Sequence, residues 1–247
     1  MPSTSSISSL GDRMRGLRLS AMAEHWERQE AALDERAFAE RMAELLGAQE
    51  AHRAGTVLHK GARQAQSFVS SARWKDLVFK PGRGLSPSAV EALKSWQWLK
   101  QKRHLLLTGD TGRGKTWLAS AVANEALMAG YKVRCFEVGA FLQQFYEEEQ
   151  GGRIFRFISD LTRADLVVLD RWAHHPLDAH GVARLEELIL KRDGKASFVV
   201  CSSRPVVDWE NWLGGGPVAR GIVDRLVSRA NAIELKGASL RGEAPSS

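Results

Sequence analysis

His104-Leu-Leu-Leu-Thr-Gly109-Asp110-Thr111-Gly112-Arg113-Gly114-Lys115-Thr116-Trp117 is the stretch on which the fold turns. Four positions fit G-x-x-x-x-G-K-[ST], with an apolar run before them and a helical segment, Trp117 to Met128, after them. The residue types have a physical reason. Glycines let the backbone curl with its N–H groups facing a phosphate, and the helix that starts there adds its positive end. A lysine in the second-last place reaches the β- and γ-phosphates, and the hydroxyl after it is a magnesium ligand. Gly109 to Trp117 are therefore the expected nucleotide contacts, with ATP and Mg²⁺ as the expected cofactors.

Working outward from this loop, short apolar runs alternate with longer amphipathic segments. The runs are Leu105–Leu107, Val133–Phe136, Leu166–Leu169 and Phe198–Cys201. Buried parallel strands joined by helices give that texture, so the fold class is α/β with a parallel sheet. The third run ends in Asp170, and a phosphate loop needs such an acid at the end of a neighbouring strand to hold the metal. Thr116 and Asp170 are thus the expected metal ligands. As a plain alternative, Asp170 could cap the next segment.

Arg171 follows, where many P-loop ATPases place a second carboxylate that orients the attacking water. A guanidinium stays protonated and cannot act as a base. Binding of ATP with slow hydrolysis is the expectation. Two milder readings stay open: Arg171 turns away to pair with an acid, or another carboxylate such as Glu137 serves. His174 and His175 read as surface or packing residues rather than metal ligands, since no ligand cluster accompanies them.

Upstream, the first seventy residues read as helical. Ser20 is placed to cap a stretch through Met22, Trp26 and Leu33, and a second stretch carries Phe38, Met42, Leu45 and Leu46 on one face. Basic residues then gather late in this region, and Arg53, Lys60 and Arg63 are the candidate DNA contacts, against a solvated helix face as the alternative. The domain boundary is placed near Arg73, giving a helical N-terminal domain over 1–72 and an ATP-binding domain over 73–247. Beyond a break at Lys80-Pro-Gly-Arg-Gly84, Ser86-Pro87 has the order of cap and first helical residue. Trp96 and Trp98 read as packing groups rather than base-stacking platforms.

The chain has 247 residues, 44% hydrophobic and 26% charged, with a formal net charge of +6, which fits a soluble globular protein with an acidic partner. Nucleic acid is the first such partner and an anionic membrane surface the second. No signal peptide or spanning segment is read, and Cys135 and Cys201, far apart in strand-like runs, are expected reduced and buried. A cytoplasmic location follows as the expectation.

From Leu17 to Arg241 the chain resembles the IstB-type ATPases of insertion sequences, relatives of the DnaC-type helicase loaders within the AAA+ class. The resemblance is carried by Leu17-Arg-Leu-Ser-Ala-Met-Ala23, by Thr108 to Ala119, by Gly130-Tyr-Lys-Val-Arg134, by Asp224-Arg225-Leu226 and by Lys236-Gly-Ala-Ser-Leu-Arg241. It implies an AAA+ P-loop module behind a small all-helical domain, assembling on duplex DNA as a homo-oligomer with ATP sites between subunits. It implies a transposase as partner, Arg225 as the arginine finger for a neighbouring site, and Arg241 as the sensor of the γ-phosphate in its own. The family's Thr-Ser-Asn stretch is replaced by Cys201-Ser202-Ser203, which leaves Ser203 where an asparagine positions water. A DnaC-type helicase loader and a non-hydrolysing, nucleotide-gated DNA scaffold are the alternatives; a small-molecule P-loop kinase lacks a lid-like arginine-rich segment.

Overall fold

In the computed structural model, residues 9–32, 34, 36–62, 68–79 and 82–240 are described, without the side chains of 51–62. The chain divides into two compact units, Met1–His59 and Lys60–Ser247.

The first unit is helical. α1 (Leu10–Gly16) starts at Ser9, whose side chain accepts from the Asp12 N–H. α2 (Ser20–Ala31) and α3 (Phe38–Ala62) follow. Ser20 is the first helical residue and not the cap, since Leu19 holds that place without a side-chain bond. Met14, Met22, Ala23 and Leu45 form a small core, with Leu19, Trp26 and Met42 against it. Of the face expected on α3, Phe38 and Leu46 are exposed. This core is too small to cover a full apolar stripe.

The second unit opens earlier than the expected boundary at Arg73. The reason is polar and buried: Asn124 Nδ2 donates to the carbonyls of Val69, Ser70 and Ala72 at 3.0, 3.2 and 2.9 Å. The Val69 N–H donates to Ser120 Oγ at 3.0 Å. Ser120 and Asn124 lie one turn apart on α6 (Lys115–Met128), so one helix face binds the incoming chain. A short 3₁₀ turn (Trp74–Asp76) leads to α4 (Pro87–Lys94), which starts as expected, with Ser86 Oγ accepting from the Ala89 N–H and proline at its first turn. α5 (Gln97–Lys100) carries Trp98, buried at 3%, while Trp96 packs against Trp98 and Tyr131.

Then come β1 (His104–Thr108), α6, β2 (Val133–Glu137), α7 (Val138–Gln150), α8 (Ile154–Thr162) and β3 (Leu166–Trp172). α9 (Ala179–Arg192), β4 (Ser197–Ser202), a 3₁₀ turn (Val206–Asp208), α10 (Trp209–Trp212), α11 (Gly216–Val227) and β5 (Ala230–Glu234) complete the unit. The sheet runs β2-β3-β4-β1-β5, every pair parallel. The four expected runs fall in β1, β2, β3 and β4. β5, Ala-Asn-Ala-Ile-Glu, escaped the sequence reading because it is an edge strand with one neighbour and little to bury. Among the described residues no helix is long and apolar enough to cross a membrane.

At the sheet end remote from the phosphate loop, Arg192 is fully buried. Its guanidinium donates to the carbonyls of Leu161, Ala164 and Ser197 and lies over the Phe198 ring. His104 Nδ1 accepts from the Phe198 N–H at 3.1 Å. Burial, with the Arg192 charge second, pulls His104 down to about 4. The unfolded imidazole, at its ordinary 6.5, takes up a proton before the folded one. Stability is therefore full above that value and declines as pH falls toward 4, by up to about 3 kcal/mol. His104→Asn keeps an acceptor for the Phe198 N–H but does not titrate. Urea unfolding near neutral pH and near pH ~4.5 is expected to show the wild type losing ~2–3 kcal/mol more than this variant.

Candidate functional site

β1 lies inside the sheet, so the turn after it emerges between β4 and β5. The turn is tight against the segment that follows β5. Leu235 N–H donates to the Thr108 carbonyl and Leu240 N–H to that of Gly112, both at 2.8 Å. Two glycines answer to this crowding. Gly109 has φ +128°, and a Cβ there would stand 2.1 Å from the Leu235 carbonyl oxygen. Gly112 has φ +84°, with Ser239 Oγ 2.1 Å from where a Cβ would be. Gly109 excludes a side chain by backbone sterics as well as by its angle, and Gly112 disfavours one by its angle.

Lys115 opens α6 and folds back over the loop, its Nζ donating to the carbonyls of Gly109 and Asp110 at 2.6 and 2.8 Å. Burial holds this ammonium below its ordinary value, opposed by the nearby Cys201, Asp170 and Asp110. Thr116 Oγ1 donates to Asp170 Oδ2 at 2.9 Å. Asp170, near the end of β3, is 6% exposed. The two expected metal ligands, far apart in sequence, are thus adjacent in space. A hydroxyl and a carboxylate side by side are hard oxygen donors, the set that suits Mg²⁺ with its remaining waters.

These groups lie in a cavity of about 600 Å³ whose wall also includes Thr111, Gly112, Gly114, Trp117, Arg171, Cys201, Ser203 and Leu240. Its size is that of a small-molecule site. Asp110 and Arg113 pair with each other on the rim. Ser203, expected in the water-positioning place, is on the wall, and so is His174, which the sequence had assigned to surface or packing. Cys201 is also there, its thiol pushed well up by burial. Cys135 and Cys201 are both buried and free, as expected.

Arg171 takes the first of the milder readings: its Nη1 is 3.1 Å from Glu137 Oε1. Arg225, on α11, is outside the cavity wall. It donates to the Gly221 carbonyl at 2.8 Å, and its Nε is 3.6 Å from Asp193 Oδ2. Arg53 and Lys60 fall on α3, but their side chains are outside the described residues, as are Arg63 and Arg241.

One feature was missed by sequence reading. Beside the phosphate loop is an apolar pocket of about 270 Å³, lined by Leu77, Val78, Leu85, Trp117, Leu235 and Leu240 among others. Arg83 also lines it and donates to the Arg113 carbonyl at 3.0 Å. The lining comes from three separate stretches of chain, none of which carries a local signature.

A five-stranded parallel sheet in this order, with a phosphate loop after β1 and an acid near the end of β3, defines a P-loop module of the AAA+ class. The profile of the family described as IstB-like ATP binding protein matches residues 13–246, and the chain belongs to that family. The ATP-binding protein of insertion sequence IS1162 from Pseudomonas fluorescens is 32% identical over 195 residues, 78% of this chain and 84% of the relative. That of IS5376 from Geobacillus stearothermophilus is 23% identical over 235 residues, 91% and 90% of the two chains. Among solved structures, the DnaC helicase loader superposes with a TM-score of 0.57 at 16% identity, covering 67% of this chain and 97% of that one. AMPPCP-bound DnaA from Aquifex aeolicus gives 0.56 at 20% identity over 67% of this chain, which spans only 50% of the DnaA chain. At these identities the likeness to DnaC and DnaA is one of fold.

Gly109→Ala would force a methyl group against the Leu235 carbonyl in a left-handed backbone. The expected outcome is a loss of ~1–3 kcal/mol in stability, read by thermal unfolding, together with lost binding of a non-hydrolysable ATP analogue in calorimetry.

Proposed function

We propose that this protein is an ATP-dependent DNA-binding accessory protein of transposition. It binds Mg-ATP, assembles on duplex DNA and recruits or stimulates a transposase, with weak ATP hydrolysis. The observation that carries the reading is the Thr116–Asp170 contact beneath an intact phosphate loop, in a chain whose relatives are named for insertion sequences.

In this reading the backbone N–H groups of the loop and Lys115 grip the phosphates, and the apolar pocket beside Trp117 seats the adenine. Thr116 and Asp170 would hold Mg²⁺, which when bound neutralises charge on the β- and γ-oxygens. Arg225 is not among the residues lining its own cavity, which suits a guanidinium that completes a neighbour's site once its Asp193 partner is exchanged for phosphate. Arg241 is the matching candidate within the same chain. Arg53, Lys60 and Arg63 are the candidate phosphate-backbone contacts, and the positive net charge supports sequence-independent affinity.

Weak turnover is supported by Arg171, since the position after Asp170 offers no base, and by a serine where an asparagine orients water. The same observation favours a second reading, a scaffold for which ATP is a structural ligand alone. A DnaC-type loader has only a likeness of fold in its favour, which DnaA shares.

Sedimentation and electron microscopy with duplex DNA separate these readings. Assembly is expected with ATP and not with ADP, and it should weaken steeply as salt rises. Lys115→Ala and Arg225→Ala should both abolish it. Turnover is expected well below ~1 s⁻¹, the low end for phosphoryl-transfer enzymes. Assembly that ignores nucleotide, or is indifferent to salt, would overturn the proposal.

A further inference from the structure

The partner of Arg171, Glu137, stands beside Asp170 in the register of β2 with β3. We propose that Glu137 is the carboxylate that activates water in this chain, one strand away from Asp170, and that Arg171 holds it in check. The inference rests on the nucleotide-site reading above and accounts for its weak turnover.

The placement comes from the sheet. Parallel register sets Glu137 beside Asp170 on neighbouring strands, so both leave the same edge about 5 Å apart. Asp170 is engaged by Thr116. Glu137 also precedes α7 directly, in the cap position, yet its side chain makes no capping bond to that helix. Its carboxylate is turned to Arg171 instead, with a fifth of its surface exposed.

Arg171 is held in an unusual way. Its φ is +55°, and the register of β3 with β4 shifts between Leu169 and Trp172. A left-handed backbone at an arginine is strained and persists only where the surroundings impose it. Here Trp172 supplies the anchor: it is fully buried and packed, rings tilted, against Trp209 and Trp212. The irregularity leaves Arg171 exposed between two buried neighbours, lining the cavity and bonded to Glu137. The guanidinium therefore neutralises the one carboxylate beside Asp170 in the sheet register.

The γ-phosphate of a bound nucleotide is a second anion for that guanidinium, and competition for it would release Glu137. The freed carboxylate takes one proton from water as the water oxygen bonds to the γ-phosphorus. The bond from that phosphorus to the β–γ bridging oxygen breaks, its electron pair leaving on ADP. The products are ADP and phosphate, and the proton on Glu137 returns to solvent.

Four proteins test this: wild type, Glu137→Gln, Arg171→Ala and the double variant, each checked for folding by its melting temperature. Glu137→Ala and Arg171→Gln stand in for any that fail to fold. Glu137→Gln is expected to lower kcat at least ~tenfold with KM little changed, in line with removal of a general base. Arg171→Ala should raise kcat several-fold, and the double variant should fall back to the Glu137→Gln rate. Calorimetry with a non-hydrolysable ATP analogue gives a separate readout. Arg171→Ala, which leaves an unneutralised carboxylate near the triphosphate, should bind it ~three- to tenfold more weakly, and Glu137→Gln in addition should restore the affinity.

A rate in Glu137→Gln equal to wild type, or an Arg171→Ala no faster than wild type, overturns the proposal. Wild type that binds no analogue overturns the nucleotide site itself. Wild type that turns over briskly overturns the weak-turnover reading, and Glu137→Gln then still decides the base.

Discussion

Parallel pairing is the constraint from which the rest of this molecule follows. Every strand of the sheet points the same way, so the carboxyl ends of β1, β2, β3 and β4 arrive at one edge. That edge is where an open α/β sheet presents its loops to ligands. Thr108, Glu137 and Ser202 end their strands there and Asp170 stands two residues short of the end of β3, and each leads into or belongs to the candidate site. With β1 inside the sheet, the helix that follows the phosphate loop brings Thr116 within a hydrogen bond of Asp170 on β3. The opposite edge needs polar repair, and Arg192 supplies it by gathering three carbonyls at the ends of α8 and the start of β4.

Electrostatics at the functional edge is balanced rather than uniformly positive. Lys115 folds onto carbonyl oxygens, Asp170 accepts from a hydroxyl, Arg171 meets Glu137 and Arg113 meets Asp110. Each cation has a local anion or dipole that an incoming phosphate must displace. The two ion pairs with an exposed member, Arg113–Asp110 and Arg171–Glu137, contribute little to stability and exchange partners cheaply. Such a site is cohesive by itself and still ready to rearrange around a highly charged ligand.

Much of this was legible in the sequence, because its signals are local. The loop from Gly109 to Thr116, the strand ending in Asp170 and the Ser86-Pro87 helix start each depend on residues adjacent in the chain. What was hidden depends on distant contacts. β5 lacks an apolar run because one of its faces and one of its edges are uncovered. The early start of the second unit depends on Ser120 and Asn124, polar residues buried in a helix whose sequence gives no sign of their carbonyl partners. The apolar pocket by Trp117 is assembled from the linker, the loop and the segment after β5. Arg171 was visible as a departure from pattern, but its partner across the strand pair became evident only from register.

The contacts of Leu235 and Leu240 with Thr108 and Gly112 have a consequence for biosynthesis. The loop is translated early and its buttress late, so a ribosome-bound chain that stops short of β5 lacks the backbone that pins the loop from above. Its glycines would then be unsupported in conformations that cost much entropy to fix. The nucleotide pocket is therefore finished only after release of residues 235–240 from the exit tunnel, and the helical first unit has time to fold before the pocket exists.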